Sequence, residues 1–477
     1  MIRRHISFLF ILTGLLIFTA DWLFYGQPVG WTISLFLSVA ATLVALKGGT
    51  YTFSQSTLAS ATLLFALLIA FAIQPGPLLF LMVMMMTAIF ATTIRQGTPK
   101  DALEIISRLF SFSWRVPLRS VKDTWLFIKR LQSRSNYEVG ERLGQLVRKW
   151  FLPITGTLVF SGLFAIANPL ISREIEQFVN ALNQILYNFR FDPVRLIFWM
   201  FTGVGAWGLL RVRAKVRVSR NSPPPNPMSQ SRSALLRRCL ILFNAVFVVQ
   251  TLLDSIYLFA GVHLPNGMSY AEYAHRGAYP LVATALLAAG FVLVAYRPGP
   301  ATRETAAVRH LVLLWLLQNV FLTVTAAWRL HIYTEIYGLT RLRVAASIWM
   351  LLVAMGLAWI GMRITAGKSN RWLVNRNLST TFIVLYLCCF VNFEGWIAWQ
   401  NVRHSREAGG SGYYLDYDYM LQLGPEALPA LEWVRGRTSN PRDEKTIIAL
   451  RTSLNYEMEN WRSWTYRSWV LWNGGMR

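Results

Sequence analysis

Acidic residues are scarce: 23 Asp and Glu stand against 47 Lys and Arg in 477 residues, and charge of both signs reaches only 15%. Ordinary soluble domains carry about 25% charged residues, so a conventional water-covered surface is excluded. Cysteine is almost missing. Cys239, Cys388 and Cys389 all fall within or beside apolar runs, and two are adjacent. That leaves no disulfide framework and no CxxC metal site. A Gly-rich phosphate loop, an HExxH helix and a GxSxG elbow are also missing. No loop is long enough for the ATP-binding domain of a histidine kinase. The sequence is therefore read as non-enzymatic, with no cofactor and no metal.

Apolar residues are what the chain has: 54% of it is hydrophobic, with 19 Trp and 29 Phe and a mean hydropathy of +0.38. Runs of the roughly 20 residues that cross a hydrocarbon core recur about eleven times. They lie near 6–25, 28–46, 57–74, 77–94, 150–169, 193–210, 239–260, 277–296, 309–328, 341–362 and 378–400. Only Gly26-Gln27 separates the first two, and only Pro75-Gly76 the third and fourth, so both pairs read as helical hairpins. The expected fold is all-α, a polytopic transmembrane helical bundle with a small helical extracytoplasmic tail. The basic N-terminus resembles the start of a signal peptide. It lacks a small-x-small cleavage site, and Asp21-Trp22 stands in its place, so the first segment reads as a retained helix.

A net charge of +24 would suggest nucleic acid as partner of a soluble chain; here it reports topology. With the N-terminus in the cytoplasm, thirty of the 47 basic residues but only six of the 23 acidic ones fall in cytoplasmic loops. The remainder balances to zero. This is the positive-inside pattern. It favours an odd number of spans and an external C-terminus.

The parts are then 1–94, four spans as two hairpins; 95–149, a basic cytoplasmic loop; and 150–210, two spans joined by an external interfacial helix near 171–189. After these come 211–238, a basic Pro/Ser-rich linker; 239–400, five spans; and 401–477, the tail. Bulky apolar and basic residues interleave in 95–149, as in amphipathic helices lying on anionic lipid. Pro117 is expected to break that stretch in two. In the tail, Gly409-Gly410-Ser411-Gly412 reads as a flexible hinge. Pro425 and Pro441 read as first helical residues, with Gly424 and Asn440 as caps. The terminal cluster Trp461, Trp464, Tyr466, Trp469 and Trp472 suits a membrane interface.

Charges within spans are the best markers of a site, because stranding one in lipid costs on the order of 3 kcal/mol. Asp21, Asp254 and Glu394 are such residues, and Arg276, Arg329, Arg341 and Arg343 lie at the outer ends of later spans. They are either structural ion pairs or the lining of an outward-facing cavity for an envelope component, a lipid or a membrane-protein partner. A transporter or flippase is the alternative, with broken helices and an internal repeat as its signature. A transferase using a lipid-linked donor would need Asp21, Asp254 and Glu394 to converge.

Three segments carry a family resemblance: Asp21-Trp22-Leu23-Phe24-Tyr25-Gly26 with Pro28 and Gly30; Ser269-Tyr270-Ala271-Glu272-Tyr273 before Arg276-Gly277; and Tyr337-Gly338-Leu339-Thr340 with Arg343. Joined by Leu415-Asp416-Tyr417-Asp418-Tyr419-Met420 and Pro429-Ala430-Leu431 in the tail, they resemble the bacterial polytopic membrane family catalogued as domain of unknown function 4173, related to 4153. The resemblance implies an inner-membrane protein without an established activity. It draws attention to Tyr270, Tyr273, Tyr337, Thr340 and Arg343, although a helix cap at Thr340 and interfacial tyrosines would explain the same residues.

Overall fold

The computed structural model describes residues 2–48, 54–132, 192–211, 230–259, 303–410, 412–437 and 440–474, with a few isolated residues between 150 and 177. The described residues are helical or in turns, with no strand among them. The expected spans near 150–169 and 277–296 and the interfacial helix near 171–189 lie largely or wholly outside them, as do Tyr270, Tyr273 and Arg276.

The chain forms two units: Met1–Leu68, Val83–Thr98 and Ile106–Val216 make the first, and Ile69–Met82, Pro99–Ile105 and Arg217–Arg477 the second. Helices α1 (Ile2–Phe24), α2 (Thr32–Leu46), α3 (Gln55–Ile73), α4 (Pro77–Gln96), α5 (Ala102–Gln132) and α6 (Pro193–Leu210) come in order. In the first unit, Leu9 and Leu16 of α1 pack with Ala206, Trp207 and Leu210 of α6. Ser34 of α2 donates to the carbonyl of Leu68 on α3 at 2.7 Å. Such a bond suits a bundle whose helices cannot rely on water to satisfy polar groups.

The break expected at Pro117 does not occur. Helix α5 runs through it for 31 residues. A proline removes one ladder hydrogen bond, and here side-chain packing on one flank supports the axis. A Cβ at Gly208 of α6 would lie 2.9 Å from Cγ2 of Val116, so the missing side chain admits α5 closely. Asp123, seven residues on, accepts from Trp207 Nε1 at 3.2 Å and pairs with Arg211. The opposite stripe, Ile106, Phe110, Trp114 and Leu118, is exposed.

The second unit contains α7 (Gln230–Phe259), α8 (Arg303–Tyr337), α9 (Arg341–Thr365), α10 (Asn370–Cys388) and α11 (Phe393–His404). Helix α7 begins inside the stretch expected to be linker. The reason lies in its second turn, where Leu236 is buried with Leu240, Val308, Val312 and Trp315; packing on α8 extends the helix. Asn244 of α7 donates to the Leu311 carbonyl of α8 at 3.1 Å. Among the described residues, six helices are long and apolar enough to cross a membrane. Phe8–Phe24 and Thr32–Leu46 are apolar but shorter.

The run expected as one span over 378–400 is not straight. Helices α10 and α11 meet at a 69° bend. Asn392 causes the restart, its Oδ1 capping the Gly395 N–H at 3.0 Å. Helix α11 then turns its apolar face toward the tail, which folds as α12 (Tyr417–Leu423), α13 (Leu428–Arg435), α14 (Pro441–Glu459) and α15 (Tyr466–Gly474). Ile397, Ala398 and Val402 are buried among Met420, Leu431, Val434, Ile447 and Leu450.

The glycine run after α11 is a tight turn, not a free hinge. Gly410 N donates to Ser405 O, and Arg406 N to Tyr413 O, both at 3.0 Å. A Cβ at Gly410 would lie 2.8 Å from the Ser405 carbonyl oxygen, so glycine is required for close approach. The expected caps form: Asn440 accepts from Arg442 N at 3.1 Å, and Gly424, at φ +81°, precedes Pro425.

Candidate functional site

Within the second unit, two of the segments that carried the family resemblance, Tyr337–Thr340 with Arg343 and Leu415–Met420, meet at the α8–α9 turn. Helix α8 has 35 residues, or about 52 Å at 1.5 Å per residue. That exceeds a hydrocarbon core of roughly 30 Å, so α8 reaches past any single bilayer crossing. It ends at Tyr337, and Gly338 reverses the chain at φ +77°. A Cβ at Gly338 would lie 2.9 Å from the Tyr413 ring. Glycine is thus needed here for both conformation and space.

Each neighbour in this segment has a structural partner. Thr340 caps α9, accepting from Arg343 N at 3.3 Å. Arg343 Nη1 donates to the carbonyls of Tyr337, at 2.8 Å, and Gly338, and its guanidinium stacks 4.2 Å over the Tyr333 ring. A cation closing the C-terminus of α8 satisfies the carbonyls that a helix end leaves open. Asn401 of α11 grips Leu339 from both sides, accepting its N–H at 2.6 Å and donating to its carbonyl at 2.8 Å. Tyr413 donates to the same Asn401 oxygen at 3.1 Å. Burial pushes the Tyr413 phenol up to about 12. Tyr419 of α12 accepts the Arg341 N–H at 2.8 Å, Asp416 caps α12, and Leu415 and Met420 enter the core.

A charged network adjoins this turn. Arg341 Nε donates to Glu394 at 3.1 Å, and Gln74 Nε2 reaches Glu394 at 3.4 Å and Asn392 at 3.1 Å. Asn392 Nδ2 donates to Glu426 at 3.1 Å, and Arg467 Nε to the same carboxylate at 2.6 Å. Burial holds the Glu426 carboxyl above the usual carboxylate range; Arg467 opposes this, and Glu394 adds repulsion. Sequence reasoning selected Arg341 and Glu394 but missed Gln74, Asn392, Asn401, Glu426 and Arg467. The available signals were a lone Gln ahead of Pro75-Gly76 and a lone Asn inside an apolar run.

Asp21 belongs to the first unit. It accepts from Arg195 Nε at 2.9 Å, Arg195 Nη2 at 2.5 Å and Trp199 Nε1 at 2.8 Å. Beside it, Tyr25 donates to Asp192, which caps α6 by accepting from Val194 N at 3.0 Å. Asp254 lies in α7, and Arg329, on α8, is buried. Among the described residues, no three His, Cys, Asp or Glu side chains gather as metal ligands.

The family model described as Domain of unknown function (DUF4153) matches residues 58–433. The chain belongs to that family. The match takes in the α8–α9 turn, the α10–α11 break and the tail as far as α13. No curated protein matches the chain, and no solved structure does.

Proposed function

We propose that this is a non-enzymatic multi-pass protein of the bacterial inner membrane, with its N-terminus in the cytoplasm and its tail outside. Its outer platform, built by the α8–α9 turn, α11 and the tail, engages an envelope component, whether a lipid or a membrane-protein partner. One observation carries this reading. Residues from two segments of the family resemblance, Tyr337, Gly338, Leu339, Thr340 and Arg343 from one and Tyr419 from the other, meet at the junction between the apolar helices and the tail, where their polar groups hold the platform in shape. The exposed aromatic side chains of the tail, Trp461, Tyr466, Trp469 and Trp472, suit contact with an interface.

Mass spectrometry of molecules retained by the purified protein tests the platform, with Arg341→Gln as comparison. Arg341 is half exposed in its pair with Glu394, so its loss should spare the fold and deplete an envelope component. Identical retained material in both preparations rejects the reading. A reporter fused at the C-terminus should be active only outside the cytoplasm.

The α10–α11 bend favours a second reading as a transporter or flippase, since broken helices mark many transport sites. One feature weighs against it: Ile397, Ala398 and Val402 are buried by the tail. Vesicle uptake or lipid scrambling by the reconstituted protein, lost in Asn392→Ala, would reinstate transport.

A further inference from the structure

Helix α11 is twelve residues long, and Glu394, Gln400, Asn401, Arg403 and His404 make it far more polar than the run that precedes it. Its two faces differ. One carries Ile397, Ala398 and Val402, buried in the core shared with the tail, and Asn401, whose amide holds Leu339. On the opposite face Trp396, Trp399 and Arg403 follow one another at the three- and four-residue spacing of helix neighbours. All three are exposed, and Trp399 also packs its ring on Trp433 of α13, at 5.7 Å.

The chain reaches this face from an apolar surface on α10. Ile383, Leu387 and Phe390 lie four and three residues apart, Val391 follows, and all four are exposed. Helices α10 and α11 are apolar enough for a span only as a pair, so the exposed apolar stripe of α10 is the part that suits hydrocarbon. The 69° bend between them then sets the direction of α11. A crossing helix tilted by the average of roughly 20° leaves α11 within roughly 40° of the membrane plane.

Composition sets its depth. At mid-bilayer Glu394 and Arg403 would be carried into hydrocarbon, which is costly. In bulk water two indole rings would stand uncovered. Indole pairs an apolar body with a polar N–H and is enriched where hydrocarbon meets headgroups. A helix with such a face on one side and a folded polar appendage on the other matches that boundary.

We propose that α11 is an interfacial helix, with Trp396 and Trp399 at the headgroup–acyl boundary of the bilayer, Arg403 at the level of the lipid phosphates, and the tail carried on the water side. The inference rests on the multi-pass reading given above and names the bilayer surface as what the platform meets.

The test uses the full chain in phospholipid nanodiscs, with Cys239, Cys388 and Cys389 replaced by serine. A nitroxide is attached in turn at Leu387→Cys, Trp396→Cys, Arg403→Cys and Glu444→Cys, the last an exposed position on α14. Relaxation of each label by oxygen, which enters acyl chains, is compared with relaxation by a water-soluble nickel chelate. The oxygen-to-nickel ratio should be highest at 387, intermediate at 396 and 403, and lowest at 444. Seven residues separate Trp396 from Arg403, about 10 Å of helix, so an α11 lying near the plane places their labels within about 7 Å of one depth. A depth difference of the full helix length would mean that α11 continues the crossing. Labels at 396 and 403 as open to nickel as the one at 444 would mean that the face meets water. Either result, with 387 in hydrocarbon, overturns the position of α11 alone, whereas 387 in water would sink the multi-pass reading as well. Unfolding midpoints equal to that of the cysteine-free parent should accompany each label, because every labelled side chain is exposed.

Discussion

Asp21 in the first unit and Glu426 in the second have equally covered side chains, each 12% exposed and each held by a partly exposed arginine. Their surroundings differ. Asp21 receives three donors from Arg195 and Trp199, all on the first two turns of α6. Glu426 receives Asn392 from one side and Arg467 from the other, and it adjoins Ala427 and Leu428 in a core packed to zero or near-zero exposure. One cluster fastens two helix ends by polar contacts. The other lies over a hydrophobic core that fixes where its members stand. The energetic consequence of disturbing a polar group therefore depends on what is packed behind it, more than on its own exposure.

The strongest way to break the contrast is to remove that core. Ile397 has no exposed surface, and truncating a buried isoleucine to alanine costs about 2–5 kcal/mol. Ile397→Ala should loosen the tail and, with it, Asn392 and Glu426. Limited proteolysis should cut between α11 and α14 in the variant well before the parent. Unchanged cleavage would mean that α11 does not found the tail.

A smaller effect is expected from Arg467→Ala, which leaves Glu426 with Asn392 alone. A fully buried carboxylate deprived of its cation loses several kcal/mol; because Arg467 is partly exposed, about 1–2 kcal/mol is expected. Thermal unfolding in detergent would show it as a lower midpoint, and an unchanged midpoint would reduce the pair to a surface contact.

Glu426 and Glu457 also give the tail a pH dependence. Burial raises both carboxyls above the usual value, so the folded state binds protons that the unfolded state has released. The associated stability is fully present below about pH 4.5 and is lost as pH rises through the folded-state values. Glu426→Gln should flatten this slope and leave the tail no less stable at neutral pH. A slope unchanged in that variant, and also in Glu457→Gln, would remove both residues as its source.

How far the sequence foretold this contrast can be judged from particular residues. Local chemistry was readable: Thr340 and Asn440 cap helices through their side chains, and Gly424 takes a positive-φ position that its missing side chain allows. Helix type was readable from the apolar runs. What failed was the prediction of breaks and hinges. Pro117 reads as a stop, yet α5 continues because Val116 and Asp123 pack on α6. Apolar residues 378–400 read as one span, yet Asn392 restarts the helix because the tail supplies a partner for Ile397. Gly409 to Gly412 read as a hinge because glycine permits freedom, whereas here its lack of a side chain permits close packing. Gln74 and Arg467 joined the network through contacts that sequence separation conceals.

The smallest expected change lies in the first unit. Arg195→Ala removes two of the three donors to Asp21 but leaves Trp199 Nε1 at 2.8 Å and the Asp192 cap of α6 intact. Half-exposed ion pairs are worth about 0–1 kcal/mol, and the core shared by α1 and α6 lies further along both helices, at Leu9, Leu16, Ala206, Trp207 and Leu210. The midpoint should fall by less than in Arg467→Ala. Making Trp199→Phe as well removes the last donor, and the two changes together should exceed the sum of the singles, because Asp21 is then left covered and unsatisfied. If Arg195→Ala alone matches or exceeds Arg467→Ala, the packing behind a polar group is not what sets its worth, and the contrast between the two clusters fails.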